Sequence, residues 1–172
     1  GMPPSEIVAS IQKGMGNTLG FVAVVVGLGA MFGAILEASG GAHAIAGRLL
    51  NENDTKRTSW ALMATGFLIA IPVFFDVGFI ILVPLVYSLQ RSTGKSLLFY
   101  GIPLLAGLAI THAFIPPTPG PVAVADILKV DLGWVIVAGV LVGLPTAVGA
   151  GPLFGNYIGK RIMVKAPEEI SE

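Results

Sequence analysis

The sequence predicts an all-α polytopic membrane protein with a re-entrant hairpin and an unwound transmembrane helix. Three observations predict it. Of the 172 residues, 54% are hydrophobic and only 12% are charged, about half the charge of a soluble domain. Four stretches nearly free of Asp, Glu, Lys and Arg each reach the ~20 residues that a helix needs to cross a hydrocarbon core. Within one of these stretches four prolines crowd into residues 116–121, where an uninterrupted helix cannot continue.

The elements follow in chain order. A short amphipathic helix over residues 4–13 is expected to lie along the interface, and the uncharged run 14–36 to form the first span, about 17–38. Glu37 reads as an interfacial residue at its end, and His43 falls in a polar loop with no assigned role. The next apolar stretch, residues 60–90, carries one charge, Asp76. As a straight helix it would run about 46 Å, too long for one span without strong tilt, and as two full spans each arm is too short. A re-entrant hairpin over 58–90, with its arms meeting near "PVFFDVG", resolves this. Charge supports an even number of crossings there. Arg48, Lys56, Arg57, Arg91, Lys95, Lys160, Arg161 and Lys165 then share one face, leaving Lys13 and Lys129 opposite, and the positive-inside rule places the richer face in the cytoplasm. A broken helix over 96–129 and a last span over 132–159 complete the chain.

Pro116, Pro117, Pro119 and Pro121 remove four backbone donors and push the residues before them out of helical geometry, so residues 111–120 are expected to unwind. A helix then restarts with Pro121 at its first position and Thr118 or Gly120 near the cap. Irregular backbone at membrane depth requires burial in protein or a water-filled cavity. The restarted helix and the second hairpin arm, beginning near Val77, would both aim N-terminal N–H groups into that cavity, as expected of a carrier for an anionic solute.

Asp76, an acid inside an apolar stretch, reads either as a proton or substrate-hydroxyl site or as the N-cap of the second arm. His112, expected at the unwound tip, reads either as a proton-exchanging imidazole or as a satisfied structural histidine. Thr111 and Thr118 either bind substrate oxygens or replace lost backbone hydrogen bonds. Glycines spaced by four, Gly16 and Gly20, Gly29 and Gly33, Gly139 and Gly143, and Gly151, Gly155 and Gly159, read as close helix packing in lipid. No catalytic constellation is visible: there is no cysteine, HExxH, GxSxG or phosphate-binding loop. The formal net charge of zero, without clustered bases, argues against a nucleic-acid partner. The start lacks the pattern of a cleavable signal peptide. An enzyme is not expected, and neither a metal nor an organic cofactor is implied.

In this order, "GMGNTLG", "GLGAMFGAILEASGGA", "FFDVGFIILVPLVYSL" and "THAFIPPTPGP" closely resemble the gluconate permease (GntP) family, within the ion-transporter superfamily of organic-anion carriers. The resemblance runs over nearly the whole chain. It implies a multi-pass secondary carrier of the bacterial inner membrane that takes up gluconate or a related sugar acid with protons, assembled as a homo-oligomer, a dimer. It also implies a fold of two inverted repeats, each with a re-entrant hairpin and an unwound helix, of which this chain looks like most of one. On that basis the fragment alone is expected not to transport. Carried over by motif, the substrate-binding positions are Phe75, Asp76 and Gly78 at the hairpin tip and Thr111, His112, Pro117, Thr118, Pro119 and Gly120 at the break. Asp76 and His112 are the candidates for proton coupling. A passive anion channel and a non-catalytic membrane assembly subunit are the rival readings.

Overall fold

The computed structural model describes residues 3–41, 44 and 55–167. His43 and Arg48 lie outside the described residues, as do the side chains of Glu37 and Lys56. The described part is helical: α1 (Pro4–Ala38), α2 (Thr55–Ile69), α3 (Phe75–Thr93), α4 (Leu97–Phe114), α5 (Pro119–Leu128), α6 (Leu132–Val148), a π-turn (Gly149–Leu153) and α7 (Phe154–Gly159). Among the described residues three stretches are long and apolar enough to cross a membrane: α3, the broken run Leu97–Leu128, and Leu132–Gly159. Helix α1 departs from expectation. It runs unbroken through the segment assigned to an interfacial helix, because Gly14, Gly16 and Gly20 weaken a helix without stopping it and no proline intervenes after Pro4.

Helix α4 is the axis about which α2, α3, α6 and α7 pack, while α1 lies against α5. Helices α2 and α4 lie so close that a Cβ on Gly66 would come within 2.6 Å of the Leu104 carbonyl oxygen, and one on Gly107 would collide with the Met63 carbonyl. Met63 faces Gly107, and Phe67 meets Thr111 at the same separation of 44 residues. A constant offset means that the two helices run parallel. Helix α3 runs the other way along α4: Gly78 faces Leu108 while Val86 faces Gly101. The α2–α3 hairpin therefore returns to the end of the molecule where it began. Leu62, Ile69, Leu82, Val86, Tyr100, Leu104 and Leu108 fill the space between these three helices.

The last helices descend antiparallel to α4 on its other side. Gly139 faces Phe114, Gly143 faces Ile110, Gly151 faces Ala106 and Pro103, Gly155 faces Pro103 and Ile102, and Gly159 faces Phe99; Ala147, fully buried, occupies the remaining place in the row. Steps of four residues advance about 400°, so such a row drifts about 40° per step around a regular α-helix. The wider π-turn at Gly149–Leu153 takes up part of this drift and keeps the small residues on α4.

At the end where the hairpin begins, α3 stops at Gly94, whose φ of 68° forms the left-handed C-cap. Ser96 caps α4 by accepting from Leu98 N at 3.3 Å. The same hydroxyl oxygen accepts from Val164 N at 3.1 Å, and the Leu97 amide donates to the Val164 carbonyl at 2.8 Å. Gln90 accepts from Ala166 N at 3.1 Å. The extended segment after α7 is thereby strapped across the α3–α4 corner.

Candidate functional site

The hairpin tip and the helix break lie together at the opposite end of this three-helix unit. At the tip, α2 closes with Ala70 N bonded to Gly66 O, then tightens as Ile71 N turns to Leu68 O; Pro72 lies in the turn before α3 starts. At the break, α4 ends at Phe114 and α5 starts at Pro119, so the interruption is confined to residues 115–118. The bond between Pro116 and Pro117 is cis. Pro117 and Thr118 share a narrow cleft, with room for about one water molecule, with Ile71, Pro72, Val73 and Phe74, and α1 closes one side with Val26 and Ala30.

The interruption is shorter than expected, and this moves two residues. Thr111 and His112 belong to the last turn of α4 instead of unwound backbone, because a proline disfavours helical geometry only in the residue before it and removes only its own donor. The first proline, Pro116, leaves everything up to Phe114 free to stay helical. Thr111 is fully buried and donates from Oγ1 to the Phe67 carbonyl at 3.0 Å. His112 is half-buried; the Phe74 ring meets its imidazole edge-on at 6.1 Å and the Phe75 ring lies tilted at 6.4 Å. Its Nδ1 is buried and has no hydrogen-bond partner among the described residues.

The helix restart also differs from expectation. Pro119, not Pro121, occupies the first helical position, and Thr118 is the N-cap without a side-chain cap bond. The reason is local. A capping oxygen accepts from the second or third helical N–H; the third position here is Pro121, which has none, so only Gly120 remains as a cap donor. The Thr118 hydroxyl turns back to donate to Ile115 O at 2.8 Å. The same chemistry limits the helix end as an anion cradle: of Pro119, Gly120 and Pro121 only Gly120 has an N–H to offer. Helix α3 offers more. It begins at Phe75, with Phe74 as an N-cap lacking a side-chain bond, so Asp76 is not the cap. The N–H groups of Phe75, Asp76 and Val77 have no partner within the helix.

The remaining predicted positions divide by environment. Phe75 stacks on Phe79 with ring planes 4° apart. Gly78 is buried, and a Cβ there would come 3.0 Å from Leu108, which makes it a contact point between α3 and α4. Asp76, Pro119 and Gly120 are exposed, and space around Gly120 is open, with no atom within 4 Å of a Cβ placed there. Sequence reasoning missed Phe74, whose ring is nearer His112 than that of Phe75, and the α1 wall of Val26 and Ala30. Nothing in the sequence distinguishes Phe74 from its neighbour. What the arrangement can do chemically is present, beside one interrupted region, a donor-rich helix end and an imidazole whose Nδ1 has no partner among the described residues, with Asp76 exposed in the first turn of that helix.

A family model described as GntP family permease matches residues 1–172. Among curated proteins, a gluconate permease of Pseudomonas aeruginosa is 45% identical over the whole chain, which covers 38% of that relative. The Gnt-II system L-idonate transporter of Escherichia coli is 41% identical over 98% of the chain and 38% of its own length. A gluconate permease of Bacillus subtilis is 44% identical over 93% of the chain and 36% of its own length. The chain thus spans well under half the length of these relatives. No solved structure matches it.

Proposed function

The chain belongs to the GntP permease family, a family of membrane transporters and not of enzymes, and from that premise we propose that it forms part of a secondary carrier taking up a sugar acid with a proton. The observation that carries this reading is the meeting of the hairpin tip with the helix break around one cleft. Relatives named as gluconate permeases and as an L-idonate transporter support a hexonate-like substrate, one carboxylate on a chain of hydroxyls. Its carboxylate lies against the α3 end, where three N–H groups and the positive end of the helix dipole converge, with Gly120 N–H as a single donor from the other side. Asp76 or His112 binds the co-transported proton on the outer side and releases it inside. The carrier works as a homodimer in the bacterial inner membrane, and the α2–α3 hairpin enters and leaves the bilayer on its cytoplasmic side.

The test is counterflow in proteoliposomes, using a carrier of the relatives' full length that contains these 172 residues and a panel of sugar acids. Saturable accumulation of a hexonate, driven by an imposed pH gradient, is expected. Non-saturable flux would favour a passive pore. Failure of every sugar acid to be transported or to protect the protein thermally would favour an assembly subunit.

A further inference from the structure

The hydroxyl of Thr111 answers a need created 44 residues earlier. In a regular helix the Phe67 carbonyl would accept from Ile71 N. At the hairpin tip that amide turns instead to Leu68 O, at 3.4 Å, and Phe67 O becomes one of the terminal carbonyls that a helix leaves without a partner. Phe67 is only 8% exposed, and a buried carbonyl without a donor is costly. The Thr111 Oγ1 supplies the donor at 3.0 Å. Threonine in a helix usually turns its hydroxyl back to its own preceding carbonyls. Here it reaches across to another helix, at the level where Gly66 and Gly107 have already brought α2 and α4 into backbone contact.

We infer that Thr111 is a positioning residue, a latch that fixes the hairpin tip against the helix break so that Phe74 and Phe75 meet the His112 ring. It acts through the Phe67 carbonyl, one turn before the tip, and its hydroxyl proton is committed there. The adjacent residue in the chain is His112, so one turn of α4 holds the tip with one side chain and presents the imidazole to it with the next. This role rests on the carrier reading where uptake is concerned, but the latch itself is a statement about geometry and is measurable without substrate.

The experiment uses the full-length carrier in a background without other cysteines, with Pro72→Cys and Pro117→Cys introduced on the two sides of the cleft. Cross-linking yield reads the distance between tip and break; uptake of gluconate reads function. Thr111→Ser keeps the donor and is expected to retain both. Thr111→Val keeps the shape and deletes the donor. It is expected to lower cross-linking severalfold and, without the cysteine pair, to raise KM roughly five- to hundredfold, the range for an unmet buried acceptor. Should the valine variant fail to accumulate in membranes, Thr111→Ala reads the same quantities. Wild-type cross-linking and KM in the donor-less variants would overturn the latch. A parent carrier that cross-links as expected yet transports no sugar acid would overturn the proposed function and leave the latch standing.

Discussion

Phe74 and His112 meet edge to face, their ring centroids 6.1 Å apart and their planes at 62°, although one belongs to the hairpin tip and the other to the last turn of the helix before the break. The contact leaves the imidazole against aromatic carbon with a buried Nδ1 unpaired. An unmet buried polar atom costs about 1–3 kcal/mol, a cost that Ser59 Oγ, Thr65 Oγ1 and Asn156 Oδ1 share among the described residues.

His112→Leu therefore separates stability from function. The variant keeps the aromatic contacts and removes the unmet nitrogen, so its thermal midpoint in detergent is expected to stay level or rise by a few degrees while gluconate uptake falls at least tenfold. A melting scan and an uptake assay on the same preparation check this.

Asp76 is exposed in the first turn of α3 and is not its cap. Asp76→Asn retains the shape and loses the carboxylate proposed to bind the proton, so pH-driven accumulation should be abolished with membrane insertion unchanged. Wild-type accumulation in this variant would remove Asp76 from coupling.

Two glycines give opposite expectations. Gly107→Ala drives a methyl group into the Met63 carbonyl and the Phe67 amide, neither of which can swing aside, and should cost at least the ~1–3 kcal/mol of an overpacked core. Gly120→Ala meets nothing and should leave the thermal midpoint unchanged. A loss of uptake in Gly120→Ala at full stability would mark close approach of substrate to the backbone.

Ser96 serves two amides with one hydroxyl, Leu98 N and Val164 N. Ser96→Ala should cost about 1–2 kcal/mol and free the segment after α7 from the α3–α4 corner. Faster hydrogen exchange at Leu98 and Val164, with the α2–α4 amides unchanged, is the expected signature.

Much of this arrangement was legible from residue spacing. Three of the uncharged stretches marked apolar helices, the proline run marked the break, and the glycines four apart between Gly139 and Gly159 marked the row on which α6 and α7 pack against α4, whereas a Cβ on Gly16 or Gly20 meets nothing. What was not legible has physical causes. The break was drawn too long because a proline's influence extends only one residue back, which leaves Thr111 and His112 helical. The restart was misplaced at Pro121 because Pro119 satisfies the same preference two residues earlier. Whether Thr111 and Thr118 serve substrate or backbone could not be read from the chain, since the answer depends on which carbonyls a distant turn leaves unmet. The π-turn at Gly149–Leu153 has as its signature its glycines and Pro152, which lacks the N–H of a regular helical turn.

The parallel course of α2 and α4 has a consequence for how such a protein can vary. At their common offset of 44 residues the two helices run side by side, and their lengths of 15 and 18 residues act as two rulers of about 22 and 27 Å whose far marks are the tip and the break. Depth is thus written in residue number: inserting one helical turn into either ruler alone would slide its mark by about 5.4 Å and part the two, whereas lengthening both together would sink the pair intact.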